Sequence, residues 1–269
     1  MRIARIESDG MAAYALERPG GYELCLGDPF SGLEATGGMV EAERLLAPII
    51  PTTIYAIGLN YREHAAEMDK PVPEYPVVTM KSPSALLDPG GIILLPRFLP
   101  SDSVDYECEL AVVIGKSCKN VSRESALDHV LGYTAANDVS ARDWQKIHSG
   151  GQWCKGKTFD SFCPLGPVLV TPDELGDPDS LAIRTELNGE EMQSSSTADM
   201  IFGVRELISF LSGSTTLLPG TVILTGTPPG VGAAQTPPRF LSEGDEVVVE
   251  IERIGRLVNP VAEERMDHP

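Results

Sequence analysis

Asp105-Tyr106-Glu107-Cys108-Glu109-Leu110-Ala111-Val112-Val113-Ile114-Gly115 is the stretch from which the rest of the chain can be read. Its second half is apolar on both faces, which predicts a strand that enters the core and is covered on each side. The strand is expected over Tyr106–Ile114. Its first half carries two carboxylates two residues apart, and in a strand Glu107 and Glu109 point to the same side. Two arrangements fit that spacing. Either the strand end is exposed and both glutamates are solvated, or they sit at the mouth of the core, where burial is costly without a neutralising cation. All-oxygen ligation favours Mg²⁺, Mn²⁺ or Ca²⁺ over zinc.

Short apolar runs bounded by turn-formers recur on either side of this stretch. Further strands are expected at Ile54–Ile57, Val77–Lys81, Gly91–Leu95, Tyr133–Asp138, Val168–Val170, Ala182–Leu187, Val222–Thr225 and Glu246–Ile251. The 26 Gly and 22 Pro are dispersed, as many strands joined by tight turns require. Two helices are expected. One is capped by Ser122, carries Leu127, Val130 and Leu131, and ends at Gly132; the other places Val204, Leu207, Ile208 and Leu211 on one face and stops at Gly213. Strands outnumber helices and do not alternate with them, so the fold class expected is α+β and mainly β, not a doubly wound parallel sheet. Residues 1–50 read as a small N-terminal unit of short strands with a helix-like stretch over Gly38–Leu46. A Pro-flanked connector, Leu46–Pro51, leads into the main domain over 51–269.

Charge and composition exclude several functions. The chain has 269 residues, with 21 Lys and Arg against 39 Asp and Glu, a net charge of −18. That excess argues against binding a phosphate backbone or an anionic lipid surface. No run approaches the roughly 20 apolar residues of a membrane span. The N-terminus shows no apolar signal core, and the five cysteines are scattered without metal-site spacing. A cytoplasmic protein with reduced thiols is therefore expected, binding neither nucleic acid nor membrane. Serine-hydrolase elbows, zincin motifs and phosphate loops are absent. Thr225-Gly226-Thr227-Pro228-Pro229-Gly230-Val231-Gly232 follows a strand, but no helix signal comes after it, so it is not a dinucleotide fingerprint.

Three other segments offer chemistry. Asp138 stands at the exit of the Tyr133–Asp138 strand, where a third acidic ligand would be useful. If the chain after Asn60 is helical, His64 and Glu67 lie one turn apart, as a general base with its orienting carboxylate or as a solvated surface pair. Residues 141–160 hold Arg142, Lys146, Lys155 and Lys157 against Asp143 and Asp160, a local +2. This is a solvated loop or a cationic wall for a substrate carboxylate or a developing enolate.

In this order the segments resemble the fumarylacetoacetate hydrolase family. The likeness runs through Gly58–Glu67, Lys81-Ser82-Pro83-Ser84, Asp105–Lys116, Gly132–Trp144, Gly156–Pro167, Leu187-Asn188-Gly189-Glu190 and Leu224–Gly232, and covers about residues 50 to 262. It implies a mixed β-roll catalytic domain, a homodimer, and one Mg²⁺ or related ion (Mn²⁺, or Ca²⁺) per subunit. Carried over motif by motif, it implies Glu107, Glu109 and Asp138 as metal ligands. Lys157 becomes the catalytic lysine, and Arg142, Gln145 and Thr227 the contacts to a small anionic 2-oxo acid. His64 and Glu67 match a dyad that hydrolytic members place on a lid ordered by substrate. Thr158 departs from the Ser or Gly of many members. The activity implied first is Mg²⁺- or Mn²⁺-dependent C–C hydrolysis of an acylpyruvate or fumarylpyruvate through a pyruvate enolate. Decarboxylation, isomerisation or lysis of a 2-oxo acid (oxaloacetate, a 2-oxo-heptene-dioate type or a 2-keto-3-deoxy sugar acid) uses the same electron sink. Pocket size is expected to be set by the lid around Tyr61–Tyr75 and by Arg239–Phe240.

Overall fold

Every residue from Cys108 to Ile114 is buried, as an apolar run on both faces requires. The computed structural model, which describes residues 1–265, places this strand inside a twelve-stranded sheet. Val130–Asn137 flanks it on one side and Thr221–Leu224 on the other, both antiparallel. Beyond Thr221–Leu224 the sheet continues through Thr53–Gly58, in parallel, to Val77–Lys81. Beyond Val130–Asn137 it continues through Cys163–Val170 to the four N-terminal strands, the first of which, Arg2–Ser8, pairs Ile3 with Leu169. A second, five-stranded sheet is built from Glu190–Ser196, Ala182–Leu187, Glu246–Ile251, Gly255–Glu263 and Ile93–Leu95. Buried side chains of both sheets share one core, with Leu110 and Val112 of the first in the same cluster as Val249 and Ile251 of the second. The chain is thus mainly β with mixed pairing.

The helix Val204–Ser212 buries Val204, Leu207, Ile208 and Leu211 and ends at Gly213, as its spacing predicts. The helix expected from Ser122 does not form. Residues 122–129 make a turn held by Ser122 and Ser125 hydroxyls and one short 3₁₀ segment, Ala126–His129, after which Val130 and Leu131 already belong to a strand. The apolar residues fitted a helical face, but β-branched Val130 and aromatic Tyr133 pair better across to Cys108–Ile114. The helix-like reading of Gly38–Leu46 is corrected in the same way. Met39 and Val40 pair with Glu23 and Tyr22, and Arg44–Leu46 pairs with Arg5–Glu7, closed by an Arg44–Glu7 ion pair at 2.7 Å.

The central strand also breaks where its carboxylates begin. Val104–Asp105 pairs separately with Ser140–Ala141, and Tyr106 and Glu107 lie between the two strand segments. Asn137 Oδ1 accepts the Glu107 N–H at 2.9 Å, replacing the lost ladder bond, and the Asp138 N–H donates to the Glu107 carbonyl at 2.8 Å. These contacts set Glu107 beside Asp138.

Candidate active site

Cys108 lies opposite Asn137, so Glu107 faces Asp138 across the strand pair and Glu109 shares the side of Glu107. Carboxylate oxygens of Glu107, Glu109 and Asp138 all lie within 4.8 Å of one another, and all three side chains are buried. Lys157 enters from the short helical turn Trp153–Lys157 and donates to Glu107 Oε2 at 2.9 Å, Asp138 Oδ2 at 2.5 Å and Ser140 Oγ at 2.9 Å. Burial alone would favour the neutral amine, but Asp138 and Glu107 hold the Lys157 ammonium well above its usual range. It is a fixed cation. Burial likewise opposes the charge of Glu107, yet Arg142 and Lys157 keep its carboxyl well below the ordinary carboxylate range.

Arg142 opens the helix Arg142–Lys146. Its Nη1 lies 2.7 Å from Glu107 Oε1, and its Nε donates to Asp105 Oδ2 at 2.8 Å. Nη2, itself buried, is also 2.8 Å from that oxygen, an ion pair whose alignment falls short of a hydrogen bond. Gln145 Oε1 accepts from Arg142 Nη1 at 3.1 Å, and the Gln145 side chain lines the cavity.

Glu109 differs from its neighbours. Its one hydrogen bond from the protein is the Gly226 N–H at 2.7 Å, and no cationic side chain pairs with it among the described residues. Burial, then Asp138, then Glu107 push its carboxyl well above the usual range. The cluster counts four buried carboxylates (Asp105, Glu107, Glu109, Asp138) against three cations (Lys81, Arg142, Lys157). The residue left uncompensated is Glu109. A hard divalent cation bound to three converging carboxylates would offset that charge, so the residues fit the metal that the sequence resemblance implies. Gly226 must be glycine for this: its φ is +103°, and a Cβ would lie 2.6 Å from the Cβ of Asn60.

The His64–Glu67 pair forms as the spacing predicts. The helix is Arg62–Glu67, and His64 Nδ1 lies 2.8 Å from Glu67 Oε2. Its start is tied to the body of the protein. Buried Asn60 donates to the Thr225 carbonyl at 2.7 Å and the Phe202 carbonyl at 3.0 Å, while Arg62 donates to the Met200 carbonyl at 2.7 Å. Leu59, which turns the chain into this helix, holds φ at +53°, a strained value for a γ-branched side chain. Glu67 Oε1 accepts the Gly230 N–H at 2.8 Å, so the glycine-rich loop orients the dyad. Thr227, in the same loop, accepts from Gln193 Nε2 at 2.8 Å.

One cavity of about 110 Å³ brings these groups together. His64, Glu107, Glu109, Arg142, Gln145, Lys157 and Thr227 line it, and Leu59, Met68, Trp153 and Val231 add apolar walls. Glu67 stands behind His64, and Asp138 lies beneath Lys157. Two expectations for the wall are corrected. Arg239 and Phe240 border a different surface depression with Arg97 and Glu263, and Lys155 stacks over Phe159 at 4.0 Å, outside the cavity. Two residues escaped the sequence reading. Lys81 donates to Asp138 Oδ1 at 2.6 Å, and Asp105 anchors both Arg142 and the amides of Gly232 and Ala233. Lys81 ends a strand in a matched motif, and Asp105 opens the central stretch; neither position carries a local signal of its partner.

This geometry agrees with sequence comparison. The fumarylacetoacetate (FAA) hydrolase C-terminal family matches residues 53–262, and the chain belongs to that enzyme family. The mitochondrial oxaloacetate tautomerase fahd2 of Xenopus laevis is 51% identical over 218 residues, covering 81% of this chain and 68% of its own length. Among solved structures, 5-carboxymethyl-2-hydroxymuconate delta-isomerase from Mycobacterium smegmatis is 40% identical with a TM-score of 0.85, over 98% of this chain and all of that one. Fumarylacetoacetate hydrolase from Exiguobacterium antarcticum is 36% identical with a TM-score of 0.89 over the same shares. The expected cytoplasmic location is overturned by the tautomerase relatives, which are mitochondrial by name. Unpaired thiols do not distinguish the cytoplasm from an organelle. Among the described residues, no helix is long and apolar enough to cross a membrane.

Proposed function

We propose that the protein interconverts the keto and enol forms of an oxaloacetate-type 2-oxo acid by proton transfer at the carbon beside the oxo group. The observation that carries this reading is the placement of His64. It lines the same cavity as the carboxylate–lysine cluster, and Glu67 holds its Nδ1, which leaves Nε2 as the nitrogen available to substrate. The similarity to oxaloacetate tautomerases and to an isomerase supports proton transfer over hydrolysis.

Roles follow from the contacts. The side chains of Arg142 and Gln145, which line the cavity, receive the C1 carboxylate, Gln145 through its amide NH₂. When bound by Glu107, Glu109 and Asp138, Mg²⁺ or Mn²⁺ supplies Lewis-acid stabilisation of the enolate. Lys157, locked as a cation, adds positive charge near the oxo oxygen. His64 Nε2 takes the proton from C3; the C–H pair becomes the C2–C3 double bond, and the oxo oxygen gains the negative charge. Return of the proton to that oxygen gives the enol. Glu67 stabilises the imidazolium formed in between. Residues 51–269 carry these groups, and family membership supports a homodimer, which light scattering tests.

The test follows the ultraviolet absorbance of enol-oxaloacetate with purified protein and Mg²⁺, against a chelator control and His64→Ala. Ketonisation no faster than in buffer would sink the reading. Hydrolysis of an acylpyruvate is the second reading. It is favoured by the same dyad, which can activate water, and by the likeness to the Exiguobacterium hydrolase. Acylpyruvate turnover in the same preparation decides it.

A further inference from the structure

Four Lys and Arg side chains line the cavity, and they fall into two pairs. Arg142 and Lys157 already have carboxylate partners in the protein: Asp105 and Glu107 for Arg142, Glu107 and Asp138 for Lys157. Lys70 and Lys146 form no ion pair with any described residue, although the protein carries 39 acidic side chains. They come from different elements. Lys70 follows the His64 helix, its N–H closing onto the Ala65 carbonyl at 2.9 Å, and Lys146 ends the Arg142–Lys146 helix. Both are exposed at the residue level, which puts them at the rim of a cavity whose floor is the carboxylate cluster.

Converging like charges are unfavourable unless a ligand offsets them. Burial first, then the charge of Arg142, with a smaller part from Lys70, lower the Lys146 pKa. Glu107 and Asp105 act the other way, but both already pair with Arg142. Nothing in the proton-transfer chemistry uses either lysine, and the inner carboxylate of a substrate is met by Arg142 and Gln145. A second anionic group, further along the substrate, is what the rim is equipped to receive.

We propose that Lys70 and Lys146 bind the distal carboxylate of a dianionic 2-oxo acid, selecting dicarboxylates over monocarboxylates. This rests on the 2-oxo acid reading of the site. It is tested by calorimetric titration of Mg²⁺-loaded protein with 2-oxoglutarate and 2-oxopentanoate, which share a five-carbon skeleton and differ in the distal carboxylate. Oxalate, which probes only the inner end, is titrated alongside. Wild type should bind 2-oxoglutarate at least about tenfold more tightly than 2-oxopentanoate. Lys70→Gln and Lys146→Gln should each narrow that gap, and the double variant should close it to within about threefold while oxalate binding moves by less than about twofold. A gap that persists in the double variant overturns the proposal, as does parallel weakening of all three ligands. Wild type that binds oxalate without preferring 2-oxoglutarate also overturns it and leaves the inner-site reading standing; failure to bind oxalate removes both. Thermal melts of each variant show that the fold is intact.

Discussion

Glu67 accepts the Gly230 amide at 2.8 Å through one carboxylate oxygen and holds His64 Nδ1 at 2.8 Å through the other. Gly230 is gripped from its other side as well, because Tyr106 Oη donates to its carbonyl at 3.1 Å. The dyad is therefore oriented by a glycine fixed to the segment that carries Glu107 and Glu109.

Glu67→Gln should reduce turnover on the order of 10²-fold or more with little loss of stability. If the amide oxygen keeps the Gly230 bond, its NH₂ faces His64 Nδ1 and drives the ring to the wrong tautomer. Steady-state kinetics with a thermal melt on the same sample checks this. Unchanged kcat would remove Glu67 from the mechanism.

Gly230→Ala should destabilise the fold by about 2–5 kcal/mol, from strained φ and steric overlap together. Its φ is +101°, and a Cβ would lie 2.0 Å from the Met192 carbonyl oxygen. Urea unfolding measures the cost, and a stable, fully active variant would contradict it.

Lys157→Met should cost about 3–5 kcal/mol, because Glu107 and Asp138 each lose a buried cationic partner. Glu107→Gln on that background should recover part of the loss, since it removes one of the stranded charges. Chemical denaturation of the single and double variants reads the coupling.

Metal removal should leave a folded protein of lower melting temperature. At Mg²⁺ about a hundredfold above its Kd, binding adds about 2.7 kcal/mol. Glu109→Gln should abolish that gain and make the metal-free protein more stable than metal-free wild type, because the amide avoids the cost of burying or protonating that carboxylate. Thermal melts with chelator and with Mg²⁺ distinguish the four states.

Native protein should expose one thiol per chain to an aromatic disulfide reagent. Cys25, Cys108, Cys118 and Cys163 are buried, whereas Cys154 is partly accessible. Burial pushes the Cys163 thiol up to about 12, which removes its thiolate as well as its access. Two or more thiols reacting before unfolding would contradict the packing.

Much of this site could be read in the sequence because its geometry is local. Glu107 and Glu109 share a side through strand alternation, and His64 meets Glu67 through one helical turn. Asp138 was legible only as a strand exit, since register between two strands decides whether it meets Glu107. Lys81 was not legible. Its partner lies 57 positions away and its own strand is at the sheet edge, separated from Cys108–Ile114 by two others. The 122–132 segment was misread because Leu127, Val130 and Leu131 satisfy a helical period, while a neighbouring strand supplies the pairing that wins. Lys146 stood out only as one of four cations in a basic stretch; that it shares a cavity with Lys70, which follows the His64 helix, is set by the tertiary fold.

The bracing of Asp138 between Lys81 and Lys157, and of Glu107 between Lys157 and Arg142, bears on how the enzyme responds to supply. A pocket whose carboxylates are held apart by internal cations does not need its ion as a folding template. On the proposed reading, scarcity of the divalent ion would then leave idle but intact molecules, restored by returning the ion without new synthesis. Abundance of the protein and its activity become separately adjustable, and the ion controls only the second.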